Sequence, residues 1–287
     1  MTAPLFFHPM EGIVKRILTA SAVIAALATV LPALGPARAA ETSDRFTEKG
    51  LITVCADPYI YPASAQGYPP GYDVDIIRKI AEDGGYRVEH VWVDTGTRGG
   101  LGKAIRNSIA KGLCDVFLGI GVNDLNIDEL AEKDLVFTDP YLGLAFILVV
   151  QGQAANASTL DDLKDIKIGV PMSTPVDGYL FDNGYKREIY LGNRRVMRGM
   201  VQGEVDAALI WSPSLAKAKK EFPDNEFHVA AGWKPHPDLR WNVAMVVPAA
   251  QTELMQYLND SIRSLTESGD MQRMVERYGA HYFSPFE

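Results

Sequence analysis

LITVCADP, residues 51 to 58, is an apolar run that stops at an Asp-Pro pair. It is followed by GYDVDIIRKIAEDGG, residues 71 to 85, in which Val74, Ile76, Ile77 and Ile80 recur at helical spacing before Gly84-Gly85. The first stretch reads as a strand and the second as a helix. YRVEHVWVD (86–94) alternates as a second strand, LGKAIRNSIAKG (101–112) is a second helix, and CDVFLGIG (114–121) is a third strand. Strand-helix-strand-helix-strand predicts a parallel sheet with right-handed crossovers, so the fold class is α/β.

The pattern changes at VFTDPYLGLAFILVVQG (136–152), a long apolar strand that leaves this unit. A second α/β unit follows: STLDDLKDIKIGV (158–170), a helix opened by Ser173-Thr174-Pro175, a strand at 188–190, the helix RRVMRGMVQGE (194–204) and the strand VDAALIW (205–211). RWNVAMVV (240–247) is another long strand, and residues 254–279 read as helix, with Leu254, Leu258, Ile262 and Leu265 as a core stripe. Two α/β units joined by two long strands predict a hinged cleft, with residues 46–149 plus 241–287 as one lobe and 150–240 as the other.

The first 39 residues stand apart. Lys15 and Arg16 precede the apolar run from Ile17 to Leu34, and Ala37-Arg38-Ala39 has the form of a cleavage site, so this stretch reads as a secretory signal peptide. Its removal predicts a periplasmic protein that does not insert into the membrane. Of the 28 basic and 36 acidic residues, three basic and one acidic lie in the leader; 25 and 35 remain, a formal charge near −10. That charge makes nucleic acid and anionic membrane poor partners. An oxidising compartment allows Cys55 and Cys114 to pair. If the two are counted along adjacent parallel strands, however, they are offset by about four residues at roughly 3.3 Å each, beyond the reach of a bridge, which leaves two buried free thiols as the alternative.

Ligands of open parallel sheets sit beyond the carboxyl ends of the strands. Those ends are Ala56-Asp57-Pro58-Tyr59, Gly119 to Val122 with Gly121 among them, Pro171 to Thr174, and Trp211-Ser212. The Trp211 indole either faces the cleft or packs against a neighbouring helix, and Asp57 either meets ligand or caps the turn before Pro58. Enzyme signatures are missing: RGGLGKA (98–104) has the wrong spacing for a phosphate loop, and the histidines show no paired-ligand pattern. A non-enzymatic chain is expected.

VCADPYIYP, GYDVDIIRKIAEDGGYRVE, GLCDVFLGI, VFTDPYLGLAFILVV, STLDDLKDIKIGV and QGEVDAALIW, in this order, resemble the segments of type II periplasmic solute-binding proteins of the amino-acid-binding branch. The resemblance implies a two-lobed periplasmic binding protein fold with two hinge strands, a monomer, a small-molecule ligand and an ABC permease as partner. Amino-acid binders of this kind carry an arginine for the ligand carboxylate and an aspartate for its ammonium; those places fall here at Ala131 and Trp211, which argues against an α-amino acid. The VCADP and GLCDV pair, with a Val-Asp strand ending in Trp, is similar to solute-binding-like proteins associated with quinoprotein (methanol) dehydrogenases. That similarity implies pyrroloquinoline quinone as ligand, the only cofactor suggested, and not covalently held. The alternatives are a role as partner or assembly factor of such a dehydrogenase and, further off, a cleft enzyme such as a dehydratase. For a flat tricarboxylate, Trp211, Tyr59, Tyr61 and Trp241 are the stacking candidates. Ser173 and Thr174, at a helix start, and the cations Arg98 and Arg240 are the candidates for holding its carboxylates, with Asp57 suited to an amine or hydroxyl. No metal site is expected.

Overall fold

The computed structural model describes residues 50–287; the leader expected over residues 1–39 lies outside them. Along the chain run β1 (Leu51–Ala56), α1 (Tyr72–Asp83), β2 (Arg87–Trp92), α2 (Gly100–Asn107), β3 (Val116–Val122), α3 (Asp124–Ala131), β4 (Leu135–Phe137) and β5 (Leu142–Val150). Then come β6 (Ile168–Pro171), α4 (Pro175–Asp182), β7 (Arg187–Tyr190), α5 (Asn193–Val201), β8 (Ala207–Trp211), α6 (Pro213–Glu221), β9 (His228–Val229), β10 (Arg240–Pro248), α7 (Thr252–Glu267) and α8 (Asp270–Glu276).

The strand order is β2-β1-β3-β10-β5-β8-β6-β7. β1 pairs in parallel with β2 and β3, and β6 in parallel with β7 and β8, while β10 and β5 run antiparallel to their neighbours and to each other. Each parallel trio branches on both sides of its first strand, which creates a crevice at the carboxyl ends where the order reverses. The long strands β5 and β10 join the two trios, giving the two-lobed α/β fold expected.

Each lobe has its own apolar filling. In the first, Ile52 and Val54 of β1 meet Ile76, Ile77 and Ile80 of α1 and the stripe Leu254, Leu258, Ile262 of α7. In the second, Leu148, Val170, Leu180 and Leu209 fill one face of the sheet and Ile147, Val196, Met197 and Ile210 the other. Burying each such side chain contributes about 1.5–3 kcal/mol. β8 is apolar without alternation because both of its faces are covered.

The structure departs from the sequence expectation at several elements. The segment 136–152 is not one strand: β4 and β5 are separated by Thr138 to Tyr141, where Thr138 instead bonds both backbone groups of Met245. Neither α3 nor α6 is among the elements expected from the sequence; Asn123 caps α3 by accepting from the Asn126 N–H at 2.9 Å, and Pro213 opens α6. The C-terminal helix is two helices, broken at Gly269 with φ 74°.

The offset argument against a bridge is also overturned, for Cys55 and Cys114 form a disulfide with a Cα–Cα distance of 5.7 Å. Cys55 lies level with Phe117, but Cys114 precedes β3 and follows the turn at Gly112, so the chain there is not extended and counting residues overstates the gap. Asp115 draws this segment against β1: its N–H donates to the Thr53 carbonyl and its carboxylate accepts from the Thr53 N–H, both at 2.8 Å.

Candidate functional site

A cavity of about 290 Å³ lies at the crevice between the lobes. Tyr59, Tyr61, Tyr72, Asp73 and Gly119 line it from the first lobe, Trp211, Ser214 and Lys217 from the second, and Leu144 and Val243 from the two joining strands. The lobes already touch beside it. Ala216 of α6 packs into the first lobe's core, and the Lys220 ammonium sits 5.0 Å from the centre of the Tyr61 ring.

Of the residues singled out from the sequence, Tyr59, Tyr61 and Trp211 come together here. Tyr59 is 73% exposed and stands at the mouth. Trp211 lies at the end of β8, where the Asn193 side-chain oxygen accepts from its backbone N–H at 3.0 Å. Its ring packs on Phe146 at 5.5 Å and Trp241 at 5.3 Å, so Trp241 backs the wall without lining it. Immediately after it, Ser212 is fully buried: its N–H donates to the Ala145 carbonyl of β5 at 2.9 Å and its hydroxyl accepts from the Ala145 N–H at 3.3 Å, which anchors the strand end.

The other candidates sit elsewhere. Arg98 is exposed in the loop before α2. The Gly121 carbonyl accepts from the Asn126 side chain at 2.7 Å. Ser173 is exposed, with φ 57°, and donates its N–H to Asp177; Thr174 caps α4 as its spacing predicts, and Arg187 pairs with Asp177 at 2.7 Å. Asp57 is 3% exposed and already engaged: one carboxylate oxygen accepts the Tyr59 N–H and the other the Thr95 N–H, each at 2.7 Å, with the Thr95 hydroxyl as a third donor.

The acid that does line the cavity is Asp73, in the first turn of α1 and 1% exposed. The Tyr141 hydroxyl donates to its Oδ1 at 2.6 Å and itself accepts from the Gly119 N–H. Asp73 Oδ2 lies against Gly119, where a Cβ would come within 2.7 Å of it. Gly119 also has φ 74° and occupies the point where the β3–β10 register shifts, a bulge that only glycine satisfies on both counts. Burial lifts the Asp73 carboxyl to about 7, against the opposing pull of the Tyr141 hydrogen bond and of the helix start. The sequence held a signal for it. Asp73, Ile76, Ile77 and Ile80 share one helical face, so an acid stands on a core stripe.

Another cavity of about 300 Å³ lies within the second lobe, lined among others by Tyr179, Tyr185, Trp233 and His236. One lobe supplies all of it, so closing the cleft would not bury its contents. Among the described residues no cluster of three His, Cys, Asp or Glu side chains is placed to hold a metal ion, and no helix is long and apolar enough to cross a membrane.

The model of the bacterial extracellular solute-binding proteins, family 3, matches residues 52–281. The chain belongs to this family. It is 21% identical over 241 residues to the L-cystine-binding protein TcyJ of Escherichia coli K12, covering 82% of this chain and 85% of that protein. The unliganded, open L-cystine solute receptor of Neisseria gonorrhoeae superposes with a TM-score of 0.68 at 18% identity, covering 85% of this family 3 chain and 98% of the receptor. An ancestral cyclohexadienyl dehydratase superposes at 0.63 with 17% identity, covering 82% and 95%. These likenesses show that the family 3 fold extends over nearly all the described residues.

Proposed function

We propose that this family 3 chain captures a small aromatic solute between its lobes in the periplasm and presents the closed form to an ABC-type permease, without chemical change to the solute. The observation that carries the reading is the cavity itself, walled by Tyr59 and Tyr61 from one lobe and Trp211 from the other, so that closure stacks rings on a ligand from both sides. The binding proteins it resembles by sequence are named for L-cystine, a solute with two ammonium and two carboxylate groups. Pyrroloquinoline quinone is supported by the aromatic wall. It is less well served by the charges, because Lys217 is the one cation among the lining residues and three carboxylates need more.

A second reading is favoured by Trp211 itself: its indole occupies the strand end where the resemblance places an ammonium-holding acid, as in a chain that keeps the fold and serves as a partner of a quinoprotein dehydrogenase. Tryptophan fluorescence and thermal melting with a panel of L-cystine, aromatic amino acids and pyrroloquinoline quinone separate the two. Capture predicts quenching and a raised Tm with one compound, since a ligand bound only to the native state stabilises it by about 2.7 kcal/mol at a hundred times Kd. Trp211→Ala should abolish both responses. A flat response to the whole panel, with co-elution of the dehydrogenase, would replace the first reading by the second.

A further inference from the structure

We infer that Lys217 is the specificity-determining residue of the cleft, and that the solute it selects is an aromatic body carrying one carboxylate and no ammonium. The inference rests on the capture reading above and names the charge of its ligand. Tyrosines aside, two titratable side chains line the cavity, Asp73 from the first lobe and Lys217 from the second. Asp73 is 1% exposed, takes the Tyr141 hydroxyl and is favoured in its neutral form by burial, so it offers an ammonium no standing charge. Asp57 spends both oxygens on Tyr59 and Thr95, and the end of β8 holds the uncharged Trp211. The cations singled out from the sequence are elsewhere: Arg240 lies 4.7 Å from the centre of the Phe286 ring, and Arg98 stays in its exposed loop. Lys217 is left as the charge that a solute meets.

Its own helix leaves that charge unpaired. Glu221 stands one turn further along α6, where an ion pair with Lys217 would form, but it accepts from Arg194 at 2.6 Å and from Arg198 at 3.4 Å. Among the described residues Lys217 makes no ion pair. Pro213, Ser214 and Lys217 come from the start of α6 and form the second lobe's wall of the cavity beside Trp211. The positive end of the helix adds to the ammonium there. An ammonium surrounded by water holds an anion weakly, so closure of the lobes matters. α6 is the element that reaches the first lobe: Ala216 packs into that lobe's core and Lys220 lies over the Tyr61 ring. A carboxylate beside Lys217 is therefore walled in from both lobes, where water screens the attraction less. The ring rests between Tyr61 and Trp211, and the carboxylate turns toward α6, across the cavity from Asp73.

Phenylpropionate, phenylpropanol and phenylpropylamine test this as probes with one skeleton and different end groups, read by tryptophan fluorescence. Phenylpropionate is expected to bind about tenfold more tightly than the other two, and more tightly than L-phenylalanine, which adds an ammonium to it. Lys217→Met keeps the aliphatic stem and removes the charge; it should abolish the preference and leave phenylpropanol binding unchanged. Lys219→Met, on the same helix but outside the cavity lining, should preserve it. Equal losses in the two variants would trace the preference to the overall charge of α6 and overturn the proposal. So would a Lys217→Met protein that binds all three probes more weakly alike, or an unaltered protein that binds the amine or L-phenylalanine as tightly as phenylpropionate. If the wider panel gives a Trp211-dependent response and phenylpropionate gives none, this inference falls alone; if nothing in either set responds, the capture reading falls with it.

Discussion

The end of β1 and the start of α1 each bury an aspartate at the same crevice, and the two are used in opposite ways. Asp57 at 3% exposure accepts three hydrogen bonds and ties the turn before Pro58 to Thr95, while Asp73 at 1% accepts one and keeps an oxygen toward the cavity. The first acid ties loops of the crevice together; the second sits beneath it with the Tyr141 hydroxyl as its donor. Burial alone does not tell the two acids apart; the count of donors already spent does.

The strand end carrying Asp57 is also stapled, and that gives the largest effect. Replacing both cysteines, Cys55→Ser with Cys114→Ser, frees a loop of 59 residues and should lower stability by about 4 kcal/mol in urea unfolding. A loss below 1 kcal/mol would mean that the hydrogen bonds of Thr53 and Asp115 hold this region without the bridge.

Next comes the pH dependence of Asp73. Its carboxyl is raised from 3.8 to about 7, so between these pH values the folded chain binds a proton that the unfolded chain has lost. Stability from this group is therefore greatest at low pH and falls as pH rises through that window, by on the order of 4 kcal/mol. Asp73→Asn should remove this slope, seen as the difference between the two proteins' unfolding midpoints from pH 4 to 8; parallel curves would show that Asp73 is ionised throughout. Asp57→Ala should cost about 2 to 3 kcal/mol at pH 7, by leaving the Tyr59 and Thr95 donors without a partner. At that pH Asp73→Asn should be neutral or stabilising, and the contrast between the two acids fails if both destabilise equally. The smallest effect belongs to the second lobe: Thr174→Ala removes the cap of α4 and should lower stability by about 1 kcal/mol, with no change in ligand response, because Thr174 does not line the cavity.

Much of the fold was legible in the chain. The helical spacing of Val74, Ile76, Ile77 and Ile80, the two strand-helix repeats and the unbroken apolar run Ala207 to Ile210 follow from period and burial, which are local properties. So does the Thr174-Pro175 helix start. The site was legible in part. Strand ends face the crevice in any open parallel sheet, and that rule placed Tyr59 and Trp211 at the cavity. It also nominated Ser173, whose N–H goes to Asp177, and Thr174, which caps α4; Arg98, nominated for its charge, sits in a loop outside the cavity. The rule does not reach Asp73, which lies at a helix start and interrupts a core stripe.

By itself the sequence determined most of the strands and helices, their alternation and the two-lobed class, because side-chain period and turn residues act over a few positions. Only the tertiary structure decided which of two buried aspartates is spent, and that Cys114 reaches Cys55. It alone brought Gly119, Asp73 and Tyr141 into one hydrogen-bonded floor. Those outcomes depend on residues 38 to 68 positions apart in the chain coming together, the floor at a bulge in β3, and such approaches are set by packing, where no local pattern reports them.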